Sequence, residues 1–255
     1  MDLDAVVESI WRSAQRGIYY PPEWQGKLSM YQAYQVQLGM LGRYLERGEV
    51  QAGWKVGLTA RAMQVQQGVH EPVFGFLLAS GTRTSGTVFR FADLIQPGFE
   101  NELCLTIGVP LRGPGVTLEE ARAAIAGVAP ALEVIERRGD FAADLNLSIA
   151  DNCQQKAFVT GPVTSPLPAN VRLSAASVEV FVNGQPMERA SGAAVMGDPV
   201  ASVVWLANKL AEFNRSIEAG TRIMSGSLTR QYLLTRGDRV EARFVPFGSV
   251  RADFA

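Results

Sequence analysis

Cysteine and histidine are almost missing from this sequence. Its 255 residues include two cysteines, Cys104 and Cys153, and a single histidine, His70. Two distant cysteines do not make a disulfide framework, which indicates a reducing, cytoplasmic setting. The shortage excludes zinc sites with several histidine or cysteine ligands, and any Ser-His-Asp or Cys-His mechanism would have to use His70. A metal in this protein would therefore bind mainly to carboxylates and water, which favours Mg²⁺, Mn²⁺ or Ca²⁺.

Excess charge of one sign and long apolar runs are also missing. The 24 lysines and arginines nearly balance the 25 aspartates and glutamates, so the formal net charge is -1. Because nucleic-acid binding depends on a surplus of basic side chains, we expect no nucleic-acid partner. No apolar run approaches the roughly 18 residues of a membrane span, and Met1–Asp4 lacks the basic-then-apolar order of a secretion signal. We therefore expect no membrane association.

The apolar content, 47% of the chain, is sufficient for a sizeable core. Hydrophobic periodicity predicts amphipathic helices over residues 4–16 and 29–48. After residue 53 the pattern changes to short apolar runs separated by glycine, with a short helix expected over residues 60–67. We expect a single catalytic domain over residues 1–255, in which a helical segment (1–50) packs on a β-rich metal-binding core (51–255).

Local patterns place further elements in the β-rich part. Thr117 and Glu120 form a capping box that begins one helix, and Asp198-Pro199 begins another. Asn183-Gly184 between two apolar runs predicts a β-hairpin. Alternating apolar residues predict strands over residues 99–109, 240–244 and 250–254. Together these patterns predict an α+β fold, with N-terminal helices packed on a mixed, mostly antiparallel β core.

Three glutamates lie within apolar segments that are typical of strands. Glu100 and Glu102 occupy alternate positions, so their side chains point to the same face, roughly 7 Å apart along the chain. Glu133 lies in another apolar run, 130–135, where an unpaired charge would be unfavourable. A divalent cation would relieve the repulsion of the three carboxylates and leave open positions for substrate and water. An isolated Glu-x-Glu pair is more often a solvated sheet face, and spacing alone leaves both interpretations open.

Lys55, His70 and Asp151 are further candidates for chemistry. Lys55 lies in the short apolar strand 53–58, where a partly buried lysine beside a metal would bind a substrate carboxylate or, given a lowered pKa, move a proton. An ordinary solvated lysine is the alternative. His70 lies in a loop and is more typical of polar surface. Asp151 follows an apolar run, and a turn or helix cap explains it equally well.

Several short segments occur together in a fixed order along the chain. They are Gly53–Thr59, Gly68–Gly75, Leu94–Pro97 leading into Glu100–Glu102, Pro130–Ile135, Ala150–Asn152, Trp205–Asn208, Ser225–Ser227 and Phe247–Val250. With these segments the chain resembles the 2-keto-4-pentenoate hydratase / 4-oxalocrotonate decarboxylase family, part of the fumarylacetoacetate hydrolase-like superfamily. The resemblance covers about residues 30 to 255. It implies the fold of the fumarylacetoacetate hydrolase C-terminal domain.

The resemblance also implies a metal-dependent lyase of aromatic meta-cleavage catabolism, assembled as a homo-oligomer. Glu100, Glu102 and Glu133 would ligate Mg²⁺ or Mn²⁺, which a 2-oxo acid substrate would chelate through its carboxylate and keto oxygens. Lys55 would contact the substrate or move protons, and Asp151 would order the pocket. The implied substrate-binding residues are Val73, Leu77, Gln155, Lys156 and Ser227.

The chain departs from the family pattern at three places. Val73 stands where hydratases usually have aspartate, and an apolar side chain there fits a decarboxylase. Gly98 stands where arginine or lysine commonly precedes the metal glutamates. Cys153–Lys156 replaces a small Ala-Ser stretch with bulkier polar groups, which predicts a reshaped pocket in which Lys156 meets a distal carboxylate. By contrast, Leu228–Arg230 is similar to heptenedioate hydratases.

The leading functional prediction is hydration of a 2-hydroxy-2,4-dienoate (a 2-oxo-4-enoate) to a 4-hydroxy-2-oxo acid. The alternative is decarboxylation of a 4-oxalocrotonate-type 2-oxo diacid, since a metal-stabilised dienolate serves both reactions. Hydrolysis of an acylpyruvate carbon–carbon bond would need a histidine-activated water, and His70 lies in the wrong segment. A non-catalytic partner subunit is a further alternative, although three buried acids without a cation would disfavour folding.

Overall fold

The computed structural model describes residues 1–255 as six α-helices and thirteen β-strands in two sheets. The helices are α1 Leu3–Gln15, α2 Met30–Glu46, α3 Arg61–Gln66, α4 Leu118–Ala124, α5 Leu145–Ala150 and α6 Pro199–Ala211. The strands are β1 Gln51–Gly57, β2 Val73–Leu78, β3 Thr82–Thr84, β4 Thr87–Phe89, β5 Pro97–Ile107, β6 Ile125–Glu136, β7 Gln155–Thr160, β8 Ser177–Val182, β9 Gln185–Ser191, β10 Arg222–Met224, β11 Tyr232–Leu233, β12 Arg239–Val245 and β13 Gly248–Phe254.

Two N-terminal helices precede the first sheet. Asp2 accepts hydrogen bonds from the first turn of α1, and Ser29 forms a capping box with Gln32 at the start of α2. The buried face of α2 packs on β2, where the rings of Tyr34 and Phe74 stack with centroids 4.2 Å apart. Both helices begin and end within two residues of their predicted bounds.

The first sheet contains the longest strands. Its order is β2-β1-β10-β5-β6-β7-β3, and β11 pairs with the beginning of β5. β5 and β6 pair antiparallel in a register that places Glu100 opposite Glu133. β1 pairs with β2 so that Lys55 lies opposite Gly75. Because alternate residues of a strand share a face, this sheet collects side chains from β1, β5 and β6 on one side.

The second sheet has the order β4-β13-β12-β8-β9. Asn183 and Gly184, both with positive φ, connect β8 to β9 in the predicted hairpin. The predicted tail strands are β12 and β13, which pair antiparallel. The pairs β1·β10, β3·β7 and β4·β13 are parallel, and the other strand pairs are antiparallel. The predicted α+β, mostly antiparallel architecture is confirmed.

α4 and α6 begin where the sequence placed them. Thr117 and Glu120 form the capping box of α4, and Asp198 caps α6 ahead of Pro199. The sequence pattern does not predict α5, a helix of six residues.

One hydrophobic cluster joins the N-terminal helices to both sheets. Leu41 of α2, Leu105 of β5 and Phe254 of β13 are among its fully or almost fully buried members. None of the helices combines the length and the apolar character that crossing a membrane requires.

Candidate functional site

Three glutamate side chains meet on one face of the first sheet. Glu100 and Glu102 come from β5, and Glu133 comes from β6. One carboxylate oxygen of each lies within 4.8 Å of those of the other two. Glu102 and Glu133 are fully buried, and Glu100 is partly buried. The solvated sheet face that spacing alone permitted does not match this burial.

Lys55 reaches the same cluster from β1. Its Nζ lies 3.3 Å from Glu133 Oε1, and its side chain is buried. An added Cβ at Gly75, opposite Lys55 in β2, would lie 3.3 Å from Lys55 Cγ, so glycine leaves room for the lysine. A solvated surface lysine does not match this position.

Several oxygens of the cluster lack a hydrogen-bond donor. Gly226 donates its backbone N–H to Glu102 Oε2 at 2.8 Å, whereas Glu102 Oε1 and both Glu133 oxygens are shielded from solvent and have no hydrogen-bond partner. Lys55 is close enough to Glu133 for an ion pair, but it lies off the direction of a hydrogen bond. Buried carboxylates without donors are unfavourable, and a hard divalent cation would satisfy them. This all-oxygen donor set fits Mg²⁺ or Mn²⁺.

Burial and mutual repulsion shift the proton affinities of the cluster. Burial and the neighbouring Glu133 raise the pKa of Glu100 to about 7, against the lowering effect of Lys55. Burial and the other two carboxylates raise the pKa of Glu102 well above its usual range, and burial raises that of Glu133. Burial alone would lower the pKa of Lys55, but Glu133 and the other anionic neighbours outweigh it and raise that pKa. Protons therefore compete with a cation for these carboxylates near neutral pH.

A cavity of about 430 Å³ opens beside the cluster. Four predicted site residues line it together: Lys55, Val73, Glu100 and Ser227. The wall is partly apolar, and its volume is in the range of small-molecule sites. Further lining residues are Leu58, Thr59, Ile135, Arg137, Phe141, Cys153, Arg230 and Leu233.

Leu77 does not line this cavity. It is fully buried in a small apolar group with Cys104, Phe158 and Met224. Its side chain shares the face of Lys55, because the two strands pair and alternate residues point the same way, but it lies further along β2. Leu77 therefore packs in the core in this structure, and its predicted contact with substrate stays a prediction.

Asp151, Gln155 and Lys156 line a different cavity, of about 160 Å³. Asp151 accepts a hydrogen bond from Arg138 Nε at 2.8 Å, and Lys156 Nζ lies 3.2 Å from Glu136 Oε1. Residues 136–139 and 151–156 lie between the two cavities. Some of these residues line the larger cavity beside the glutamates, and the others line the smaller one. Asp151, Gln155 and Lys156 therefore do not line the cavity of Lys55 in this structure, and their predicted roles stay predictions. Asp151 is the C-cap of α5, which was the alternative for this residue.

Two arginines of the cavity wall, Arg137 and Arg230, were not among the predicted site residues. Arg137 follows the end of β6, where no periodicity indicates the direction of a side chain. Arg230 lies in the segment that is similar to heptenedioate hydratases, and Cys153 lies in the segment that was predicted to reshape the pocket. His70 is exposed and does not line the cavity, as expected for a polar surface residue.

Comparisons with known proteins cover the whole site. The family described as fumarylacetoacetate (FAA) hydrolase C-terminal matches residues 48–255, which include Lys55 and all three glutamates. A 4-oxalocrotonate decarboxylase of Pseudomonas putida is 37% identical over 229 residues, 89% of this chain and 86% of the relative. A 2-hydroxyhexa-2,4-dienoate hydratase of Comamonas testosteroni is 36% identical over 231 residues, 89% of this chain and 87% of the relative. A solved 4-oxalocrotonate decarboxylase from Pseudomonas putida G7, complexed with magnesium and adipate, has a TM-score of 0.92 at 34% identity and covers 99% of this chain and 97% of its own.

Proposed function

The chain belongs to the fumarylacetoacetate hydrolase C-terminal family, and from this premise we propose that it is a divalent-metal-dependent lyase acting on small 2-oxo acids. The observation that carries the proposal is the set of three carboxylates within 4.8 Å of one another, beside Lys55 and next to a cavity. Relatives named as a hydratase and a decarboxylase support the reaction class. A non-catalytic partner subunit would leave the buried, donor-free oxygens without a role.

Glu100, Glu102 and Glu133 are the residues that would hold Mg²⁺ or Mn²⁺. Such an ion, when bound, acts as a Lewis acid toward the keto oxygen of a 2-oxo acid. The Gly226 N–H orients Glu102 by occupying one of its two oxygens. The magnesium complex of the solved decarboxylase supports a divalent ion in this fold, and the choice of Mn²⁺ stays a prediction.

Lys55 is the residue that we assign to proton transfer. It is the only lysine among the lining residues of the cavity. The anionic neighbours that raise its pKa in the metal-free chain would be neutralised by a bound cation, which would lower that pKa and allow proton transfer. Its place beside Glu133 holds the ammonium group next to the proposed cation site, where the carbon chain of a bound 2-oxo acid would begin.

Hydration of a 2-hydroxy-2,4-dienoate to a 4-hydroxy-2-oxo acid is the first candidate reaction. The hydratase of Comamonas testosteroni, at 36% identity, supports it. With 2-hydroxypenta-2,4-dienoate and Mg²⁺, the protein should remove the dienol absorbance, and EDTA should stop the loss. A stable absorbance in the presence of Mg²⁺ and Mn²⁺ contradicts hydration of this substrate.

Decarboxylation of a 4-oxalocrotonate-type 2-oxo diacid is the second candidate, and Val73 favours it. Val73 is buried in the wall of the cavity, where an added Cβ on the neighbouring Gly57 would lie 3.3 Å from its Cγ2 and 3.6 Å from Lys55 Nζ. An apolar side chain beside the lysine offers no acid or base to activate water, whereas loss of carbon dioxide needs none. Release of carbon dioxide from 4-oxalocrotonate without a hydrated product would assign this reaction.

Assembly and location complete the proposal. We expect a homo-oligomer in the cytoplasm, as the sequence predicts. Exposed apolar side chains support subunit contacts, among them Val88, Val163 and Val245. Light scattering that reports a monomer at micromolar concentration contradicts the assembly.

A further inference from the structure

One side chain in the cavity wall carries a positive charge that no other group neutralises. Arg137 follows β6, the strand of Glu133; it is an exposed residue and lines the cavity shared by Lys55 and Glu100. Its backbone N–H contacts Gln96 O, but its side chain forms no ion pair and no hydrogen bond within the protein. The guanidinium is therefore available to a ligand.

The other charged groups of this cavity already have partners. Arg230 lies 3.8 Å from Glu188, and its guanidinium stacks 4.9 Å from the centre of the Tyr232 ring. Asp140 Oδ1 accepts the backbone N–H groups of two following residues, at 3.0 and 3.1 Å. Lys55 pairs with Glu133. Arg137 thus supplies the free cation of this site.

Lys156, which the sequence assigned to a distal carboxylate, lies apart from the glutamate cluster in this structure. Its ammonium pairs with Glu136 and lines the smaller cavity on the other side of the wall. The carbon chain of a ligand held at the glutamates would contact apolar side chains of the larger cavity. These side chains are Leu58, Val73, Ile135, Phe141 and Leu233.

We propose that Arg137 is the specificity-determining residue of this site, binding the carboxylate at the far end of a 2-oxo diacid. A guanidinium offers two parallel N–H donors to a carboxylate, a geometry that an ammonium group lacks. This inference rests on the proposed function, because it takes the 2-oxo end to bind at Glu100, Glu102 and Glu133. It holds for hydration and for decarboxylation alike.

A matched pair of ligands tests the proposal. 2-Oxoadipate and 2-oxohexanoate share a six-carbon chain and a 2-oxo acid end, and they differ only in the distal carboxylate. Calorimetry on the full chain with Mg²⁺ should show about tenfold tighter binding of 2-oxoadipate, the effect of one charge-assisted hydrogen-bonded pair. In Arg137→Gln this ratio should fall to about one, and Arg137→Lys should restore part of it.

Two control variants keep the test specific. Arg230→Gln removes the paired arginine of the same cavity, and Lys156→Gln removes the lysine of the other cavity; both should keep the wild-type ratio. The proposal is overturned by a wild type without preference, by a ratio that survives in Arg137→Gln, or by a ratio lost in either control. Thermal unfolding verifies that each variant is folded. The binding ratio is measured without turnover. Failure of the dienol and carbon dioxide assays would therefore contradict the proposed lyase activity, whereas it would not change the binding ratio that tests Arg137.

Discussion

Glu102 has two carboxylate oxygens in different environments. Oε2 accepts the N–H of Gly226 at 2.8 Å, whereas the buried Oε1 has no donor. Burial and the neighbouring Glu133 and Glu100 raise its pKa, so the charged form is unfavourable until a cation binds. A single residue therefore destabilises the metal-free fold and contributes to cation affinity.

Glu102→Gln should separate these two effects. We expect Mg²⁺ affinity to fall by at least about 100-fold, because changes in groups that only support a metal ligand already cost about 10–100-fold. The metal-free variant should be more stable than the wild type by about 1 kcal/mol at pH 8, since the amide carries no charge. Calorimetry and thermal unfolding in EDTA measure the two quantities. Glu241→Gln, in the second sheet, is the control, and unchanged Mg²⁺ affinity in Glu102→Gln would place the cation elsewhere.

Gly226 is required for both its conformation and its size. Its φ is +111°, and an added Cβ would lie 2.5 Å from Thr59 Cγ2. Gly226→Ala should therefore displace the N–H that orients Glu102, weaken Mg²⁺ binding and destabilise the fold by about 2 kcal/mol or more. Gly220→Ala is a matched control, because Gly220 also has a positive φ, of +85°, but has no atom within 4 Å of an added Cβ. Equal Mg²⁺ affinity in the two variants would contradict the orienting role.

Among the secondary-structure elements, β2 is an edge strand whose outer side is held by side chains and not by another strand. Asn152 accepts from Phe76 N at 2.7 Å and donates to Phe76 O at 2.9 Å, and the Cys153 thiol donates to Phe74 O at 3.4 Å. An added Cβ on Gly75 would lie 2.7 Å from Asn152 Oδ1. Gln37 of α2 also donates to Phe74 O, at 2.9 Å, so side chains from two segments satisfy the outer backbone groups of β2.

Asn152→Ala tests whether the hydrogen bonds between Asn152 and the backbone of β2 position the site. Loss of two buried hydrogen bonds should lower the free energy of unfolding by about 2 kcal/mol. Because β2 carries Val73 and Gly75 beside Lys55, kcat/KM should also fall by about 10–100-fold. Asn208 bridges Val116 in the same way, at 2.9 and 3.1 Å, and lies away from the cavity. Asn208→Ala should therefore lose similar stability and keep its activity; an equal loss of activity in both variants contradicts the positioning role.

For the whole molecule, cation binding and folding are linked through the glutamate cluster. The pKa of Glu100 is raised from 4.5 to about 7 in the folded chain. A carboxyl group with a raised pKa contributes stability in full at pH values below its unfolded pKa, and that contribution is lost as the pH rises through the folded pKa. The metal-free protein should therefore become less stable between about pH 5 and pH 8.

Thermal unfolding across this pH range measures the linkage. In EDTA, Tm should fall from pH 5 to pH 8, whereas Mg²⁺ should raise Tm most at pH 8, because the ion replaces protons that would otherwise neutralise the cluster. The apparent Mg²⁺ affinity should rise through about pH 7 for the same reason. A Mg²⁺-dependent increase in Tm that is equal at every pH would contradict this account, and Glu102→Gln should show a weaker pH dependence.

The sequence by itself determined which chemistry was available. With one histidine and two cysteines, a catalytic cation would bind mainly to carboxylates and water. The alternation of a strand placed Glu100 and Glu102 on one face, and capping residues such as Thr117 and Asp198 located helix starts. These rules involve only neighbours along the chain, so they apply before the fold is known.

Only the tertiary structure decided which candidates share a cavity. Asn152, Cys153 and Gln154 have positive φ values in succession, so neither a helical nor a strand period predicts where the following side chains point. As a result Lys156 lines the smaller cavity and Arg137 lines the one beside the glutamates. Packing between segments distant in sequence creates this wall, and no local pattern contains that information.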